Sequence, residues 1–224
     1  MKIPRVLIAL RNVILAVLFF IFAGNAFAFD GVKEGSIISF GRYPQTASGD
    51  VKPIEWRVLE VKDNKAFLLA DKGLDAVPYN TELVDVTWKT SSIRQWLNTD
   101  FYNVAFNDSE KSRIVITVLK NPDSPKFGTK GGGDTRDRIF LLSLDEAEWY
   151  LMYDAERVLK PTPYAIKRGA WVYEKLQSSF WWLRSPGGNQ NDVSDISLDG
   201  VLNPYGGLVG NDCNAVRPAL WIIL

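Results

Sequence analysis

The chain has 224 residues, 26 Lys and Arg against 26 Asp and Glu, one Cys and no His. Without His, Ser-His-Asp and Cys-His nucleophilic mechanisms and the usual zinc sites are excluded, so any metal would be a hard ion held by oxygen. A lone Cys213 leaves no disulfide within the chain.

Lys2, Arg5 and Arg11 precede the apolar run Val13 to Ala23 and the small-residue site Ala26-Phe27-Ala28. This reads as an export signal over residues 1–28, cleaved after Ala28. The run of about 11 residues falls short of the roughly 20 needed for a bilayer span, so no stable membrane span is expected after cleavage. The remainder, residues 29–224, is long enough for one domain with a sizeable core. It carries a net charge of about −3. A mildly acidic surface has little hold on phosphate backbones, so nucleic acid is not an expected partner.

A first strand is expected over Gly35 to Gly41, with a turn at Arg42-Tyr43-Pro44-Gln45. Ile54 to Val61 and Ala66 to Ala70 form a hairpin turned at Lys62-Asp63-Asn64-Lys65. Ile93, Trp96, Leu97, Phe101 and Val104 recur at helical spacing and predict a helix from about Ser92 to Phe106, capped by Ser91 or Ser92, with its aromatics in the core.

A short turn of helix from Asn107 and a strand over Ile114 to Leu119 precede a polar surface loop, Asn121 to Asp137. Its Lys130-Gly131-Gly132-Gly133 has the Lys before the glycines, which is the wrong order for a phosphate-cradling loop. Arg138 to Leu142 reads as a buried strand. Ser143-Leu144-Asp145-Glu146 is a capping box opening a helix to about Met152. Asp145, Glu146 and Glu148 suit the helix dipole there better than an acid–base pair. A short helix is expected near Ala165 to Tyr173.

From Phe180 the chain turns mainly to strand. Phe180 and Trp182 face one side and Trp181 and Leu183 the other, which predicts a central strand covered on both faces. Val193 to Leu202, turned at Asp199-Gly200, and Ala215 to Ile223 complete the strands, with an unpaired edge expected at Pro218.

Four ordered segments carry a resemblance: Thr87-Trp88 through Asn98, Phe140-Leu141-Leu142-Ser143 through Glu146, Trp181-Trp182-Leu183-Arg184-Ser185-Pro186-Gly187, and Val216-Arg217-Pro218-Ala219-Leu220-Trp221. Together, from about Gly35 onward, they resemble a bacterial secreted domain family similar to the C-type lectin-like group, near formylglycine-generating enzymes and retroelement-diversified receptors. The resemblance implies an α+β, C-type lectin-like fold: a twisted antiparallel sheet, two main helices and long loops, with ligand contacts on the late strands and loops.

By comparison with the diversified receptors, the ligand-facing residues are Tyr205, Asn203, Asn211, Asp212 and Asn214, with Asn189, Gln190, Asn191 and Asp192 beside them. Tyr205 is central, because an exposed Tyr offers a large stiff surface and short amides beside it supply adaptable hydrogen bonds. Arg184, Arg217, Trp181, Trp182 and Trp221 read as frame, the arginines serving buried carbonyls.

Formylglycine-generating chemistry resembles a copper-bound pair of cysteines, which Cys213 alone does not provide. Calcium-dependent lectins hold their ion with Asn, Asp and Glu beside a Pro. Asn203-Pro204 and Asn211-Asp212 resemble that in part, but no acid stands next to Pro204. No cofactor is therefore assigned, with calcium kept as the alternative. The function expected is exported, periplasmic or cell-surface, non-catalytic recognition of a protein or glycan at the cell envelope. A degenerate formylglycine-type or other enzyme and a purely structural envelope module remain the alternatives.

Overall fold

The computed structural model describes residues 31–224, so the expected export signal lies outside the described residues. Strands β1 (Ile37–Pro44), β2 (Val51–Lys62) and β3 (Lys65–Ala70) form an antiparallel meander. β1 runs through Arg42-Tyr43-Pro44, where a turn was expected. The chain reverses one step later, with the Gln45 N–H donating to the Asp50 carbonyl at 3.0 Å. The β2–β3 turn falls where the sequence placed it: Asp63 and Asn64 take φ of 50° and 57°, the left-handed pair of a tight hairpin turn that Asp and Asn tolerate. Ile54, Trp56 and Val58 bury the inner face of β2. A short β4 (Asp75–Ala76) follows.

The expected helix forms as three joined pieces: α1 (Ser92–Trp96), a π-helical turn (Leu97–Phe101) and α2 (Tyr102–Ala105). The Ser91 hydroxyl caps it by accepting the Arg94 N–H. Ile93, Leu97, Phe101 and Ala105 are buried, whereas Val104, expected on the same face, is 65 % exposed. The widened π turn rotates the residues after it and carries Val104 out to solvent.

Helix α3 (Asp108–Arg113) starts on an Asn107–Glu110 capping box. The strand expected over Ile114 to Leu119 shrinks to β5 (Thr117–Leu119), which pairs with β6 (Thr135–Asp137), while Ile114 makes a lone bridge to Ile222. Ile139, Phe140, Leu141 and Leu142 are buried as expected. In place of the expected strand, Phe140 bridges Ala219 and the Leu142 carbonyl accepts the Arg184 N–H at 2.9 Å. The Ser143–Glu146 capping box opens α4 (Leu144–Tyr150), which stops two residues short of Met152. Helices α5 (Asp154–Arg157) and α6 (Pro163–Arg168) follow, the second ending well before Tyr173.

Strands β7 (Trp181–Pro186), β8 (Asp192–Ile196), β9 (Leu202–Leu208) and β10 (Ala215–Val216) join β4 in a five-stranded sheet ordered β4-β10-β7-β8-β9. β7 is its middle strand, and Trp181, Trp182, Leu183 and Arg184 are all buried. The stretch Val193 to Leu202 is a hairpin, so β8 and β9 are separate strands.

The last expected strand also divides. β10 pairs with β4 and β7, whereas β11 (Ala219–Ile223) leaves that sheet and completes the other one beside β3. Pro218 lies at the crossing, so the unpaired edge expected there is instead a passage between sheets. It is buried, and its carbonyl accepts the Ala70 N–H at 2.9 Å.

The two arginines expected as frame sit within the core. Arg184 donates from Nη1 to the Leu141 carbonyl at 2.8 Å, from Nη2 to Glu146 at 2.7 Å and from Nε to Asn121 at 3.2 Å. Arg217 donates from Nε to the Ala70 carbonyl at 2.9 Å and lies 5.0 Å from the Trp181 ring centroid. Burial pulls its guanidinium pKa down to about 9. The architecture is mixed α+β, with mostly antiparallel sheets and short helices.

Candidate binding surface on the late strands

The β8–β9 hairpin sets Asp195 opposite Asn203 in register. The Asn203 amide donates to Asp195 Oδ1 at 2.9 Å, and the Asn214 amide reaches Asp195 Oδ2 at 3.3 Å from the segment before β10. Asp195 and Asn214 are buried and Asn203 is half-buried. Burial lifts the Asp195 pKa to about 6, against the opposing pull of the two amides. Above them, a Cβ on Gly207 would meet Asn211 Nδ2 and Asp195 Oδ2, each at 3.3 Å, so Asn211 joins the rim of this cluster.

Cys213 adjoins it, with its thiol 3.8 Å from Asn214 Oδ1. Burial, then the charges of Asp212 and Asp195, push that thiol's pKa up. A thiol in this environment stays protonated near neutral pH and is a poor nucleophile.

Tyr205, 59 % exposed, stands apart from these amides. Its ring lies 4.8 Å from that of Phe127, and the Lys126 ammonium sits 4.5 Å over the Tyr205 ring and 5.2 Å over Phe127. A cation over two offset rings holds both aromatic faces in place.

Phe127 and Lys126 come from the 121–137 loop, which is tied to the β7–β8 turn rather than trailing in solvent. Thr129 Oγ1 donates to the Gly187 carbonyl at 2.7 Å, and the Lys130 N–H donates to the Gln190 side chain at 2.8 Å. The Gln190 amide also donates to the Val86 and Lys130 carbonyls, both at 3.0 Å.

The residues expected to face a ligand therefore separate into three settings. Asn189 and Asp192 close the β7–β8 turn on each other at 2.8 Å, and Gln190 clamps two loops. Asn191 is half-buried, and its carbonyl accepts the Val209 N–H at 3.0 Å. Asn203 and Asn214 hold Asp195. Tyr205, Asn211 and Asp212 remain exposed. Asp195, Phe127 and Lys126 were missed from the sequence; a single aromatic inside a Pro-, Gly- and Lys-rich loop is the one local signal that could have pointed to Phe127.

The model of a family described as a domain of unknown function, DUF6273, matches residues 63–224, well over half of the chain. The chain belongs to this family. The DUF6273 match begins inside the β2–β3 turn, so β1 and β2 precede it, while β7 to β11 and every residue of the candidate surface lie within it. Among curated proteins and solved structures nothing matches the chain. Among the described residues, no helix is long and apolar enough to cross a membrane, and no group of three or more Cys, Asp or Glu side chains could hold a metal ion.

Proposed function

We propose that this chain is an exported, non-catalytic recognition domain with a C-type lectin-like fold, binding a protein or glycan at the cell envelope through its C-terminal loops. The observation that carries this reading is the exposed Tyr205 ring, paired with Phe127 and capped by Lys126. Aromatic faces presented this way stack on the C–H face of a sugar or on an apolar side chain, and a neighbouring ammonium supplies a directional donor. The short amide of Asn211 is exposed on the same group of late loops and would add adaptable hydrogen bonds. The lectin-like assignment is supported by the α+β layout and by loops gathered on the late strands. The non-catalytic assignment is supported by a chain without His and by a thiol whose pKa is raised.

The test is a Tyr205→Ala/Phe127→Ala variant, screened beside the parent chain on a glycan array and on immobilised envelope proteins. Both side chains are at least partly exposed, so the melting temperature should hold. Loss of an aromatic pair at a binding centre should weaken capture by about tenfold or more. Equal capture by both proteins would remove Tyr205 from the site, and turnover of an arrayed glycan would overturn the non-catalytic reading.

A further inference from the structure

A cavity sharing no residue with the Tyr205 surface has a volume of about 450 Å³. It is lined by three lysines, Lys52, Lys72 and Lys160, and by no Asp or Glu. Distant parts of the chain build it. Lys52 comes from β2, where it stands in register with Tyr43 of β1. Lys72 and Lys160 are drawn together by a parallel bridge between Gly73 and Pro161, with the Gly73 N–H donating to the Lys160 carbonyl at 3.1 Å. Gly is needed at 73, since a Cβ there would lie 2.8 Å from that of Ala215. The Tyr164 N–H donates to the Gln45 carbonyl at 3.3 Å and joins this segment to the β1–β2 turn.

Among the described residues none of the three lysines forms an ion pair. Asp50 accepts from the Ser48 and Thr46 hydroxyls at 2.8 and 2.9 Å and also interacts electrostatically with Lys52. Thr46, Thr162 and Gln177 add polar groups to the wall, and Pro161, Pro163, Ile166 and Val172 give it apolar surface. Gln177 is held at φ of 53°. The two residues after it, Ser178 and Ser179, are fully buried with hydroxyls that have no hydrogen-bond partner among the described residues. A wall that carries three lysines and no carboxylate favours an anion over a cation.

We propose that this cavity is a binding site for a small organic anion carrying at least two negative charges, as phosphate or carboxylate groups. The three ammonium groups act as point-charge donors to its oxygens, and the Pro and Ile surface covers its carbon skeleton. The volume is that of an ordinary small-molecule site.

Calorimetric titration of the purified chain with inorganic pyrophosphate, and separately with citrate, tests this and distinguishes the two anion types. Saturable binding of at least one probe is expected, weakening as salt rises. A Lys72→Met/Lys160→Met variant should bind that probe about tenfold more weakly or worse, with an unchanged melting temperature because both side chains are exposed. A Lys126→Met variant, altered on the other surface, should bind like the parent. No binding of either probe, undiminished binding by the double variant, or an equal loss in Lys126→Met would each overturn the proposal. The first two outcomes do not bear on the Tyr205 surface, and the third would place the anion there.

Discussion

Asp195 is held by two amides in a buried strand pair, and desolvation outweighs the help those amides give its charged form. A carboxyl whose pKa is higher in the fold than in the unfolded chain favours the fold while it is protonated. Asp195 thus contributes stability fully below about pH 4, and that contribution is lost as pH rises through about 6. Urea unfolding of the parent and of Asp195→Asn at pH 4.5 and pH 8 reads this directly. The parent should lose about 1–3 kcal/mol more than the variant across that interval. Matching pH slopes in the two proteins would show that Asp195 ionises without cost. No local pattern in the sequence marked this residue, because a carboxylate in a short alternating strand reads the same whether its face meets water or a neighbouring strand.

Elements were legible where the deciding interactions are local. The Asp63-Asn64 turn, the Ser91 cap and the Ser143–Glu146 capping box each depend on residues within four positions, and all three formed where the sequence placed them. The burial of β7 was legible because aromatics occupy both of its faces. The π turn after Trp96 and the division of the last strand depend on distant packing and leave no short-range trace. The same holds for the candidate surface: Tyr205 could be named from the sequence, but its partner Phe127 lies 78 positions away along the chain and is brought there by the tied loop.

Gly206 makes a test at this scale. It lies within β9 opposite the register shift in β8, with φ of 76°, and a Cβ would lie 2.0 Å from the Val193 carbonyl oxygen. Gly206→Ala should cost about 2 kcal/mol or more by thermal or urea unfolding, from left-handed strain together with the backbone clash. It should also displace Tyr205. A variant as stable as the parent would mean that the hairpin relaxes freely at this point.

On the scale of the whole molecule, two sheets share one closing segment. Residues 215–223 place β10 between β4 and β7 in one sheet and β11 beside β3 in the other, with buried Arg217 and Pro218 at the crossing. Removing residues 215–224 should leave a chain without a dispersed amide NMR spectrum or a cooperative thermal transition. A well-dispersed spectrum from the shortened chain would show that either sheet can stand alone. Most of the contacts that β10 and β11 make are with strands far back in the sequence, a topology in which ordering cost precedes reward and folding is slow.

Pro218 thereby also acts on timing. A ribosome makes residues 215–223 after every other described strand of the two sheets, so neither gains this member until synthesis has passed this point. Before then the chain lacks the piece that locks both layers and should stay open to chaperones. Once that piece arrives, both layers can close in a single cooperative event.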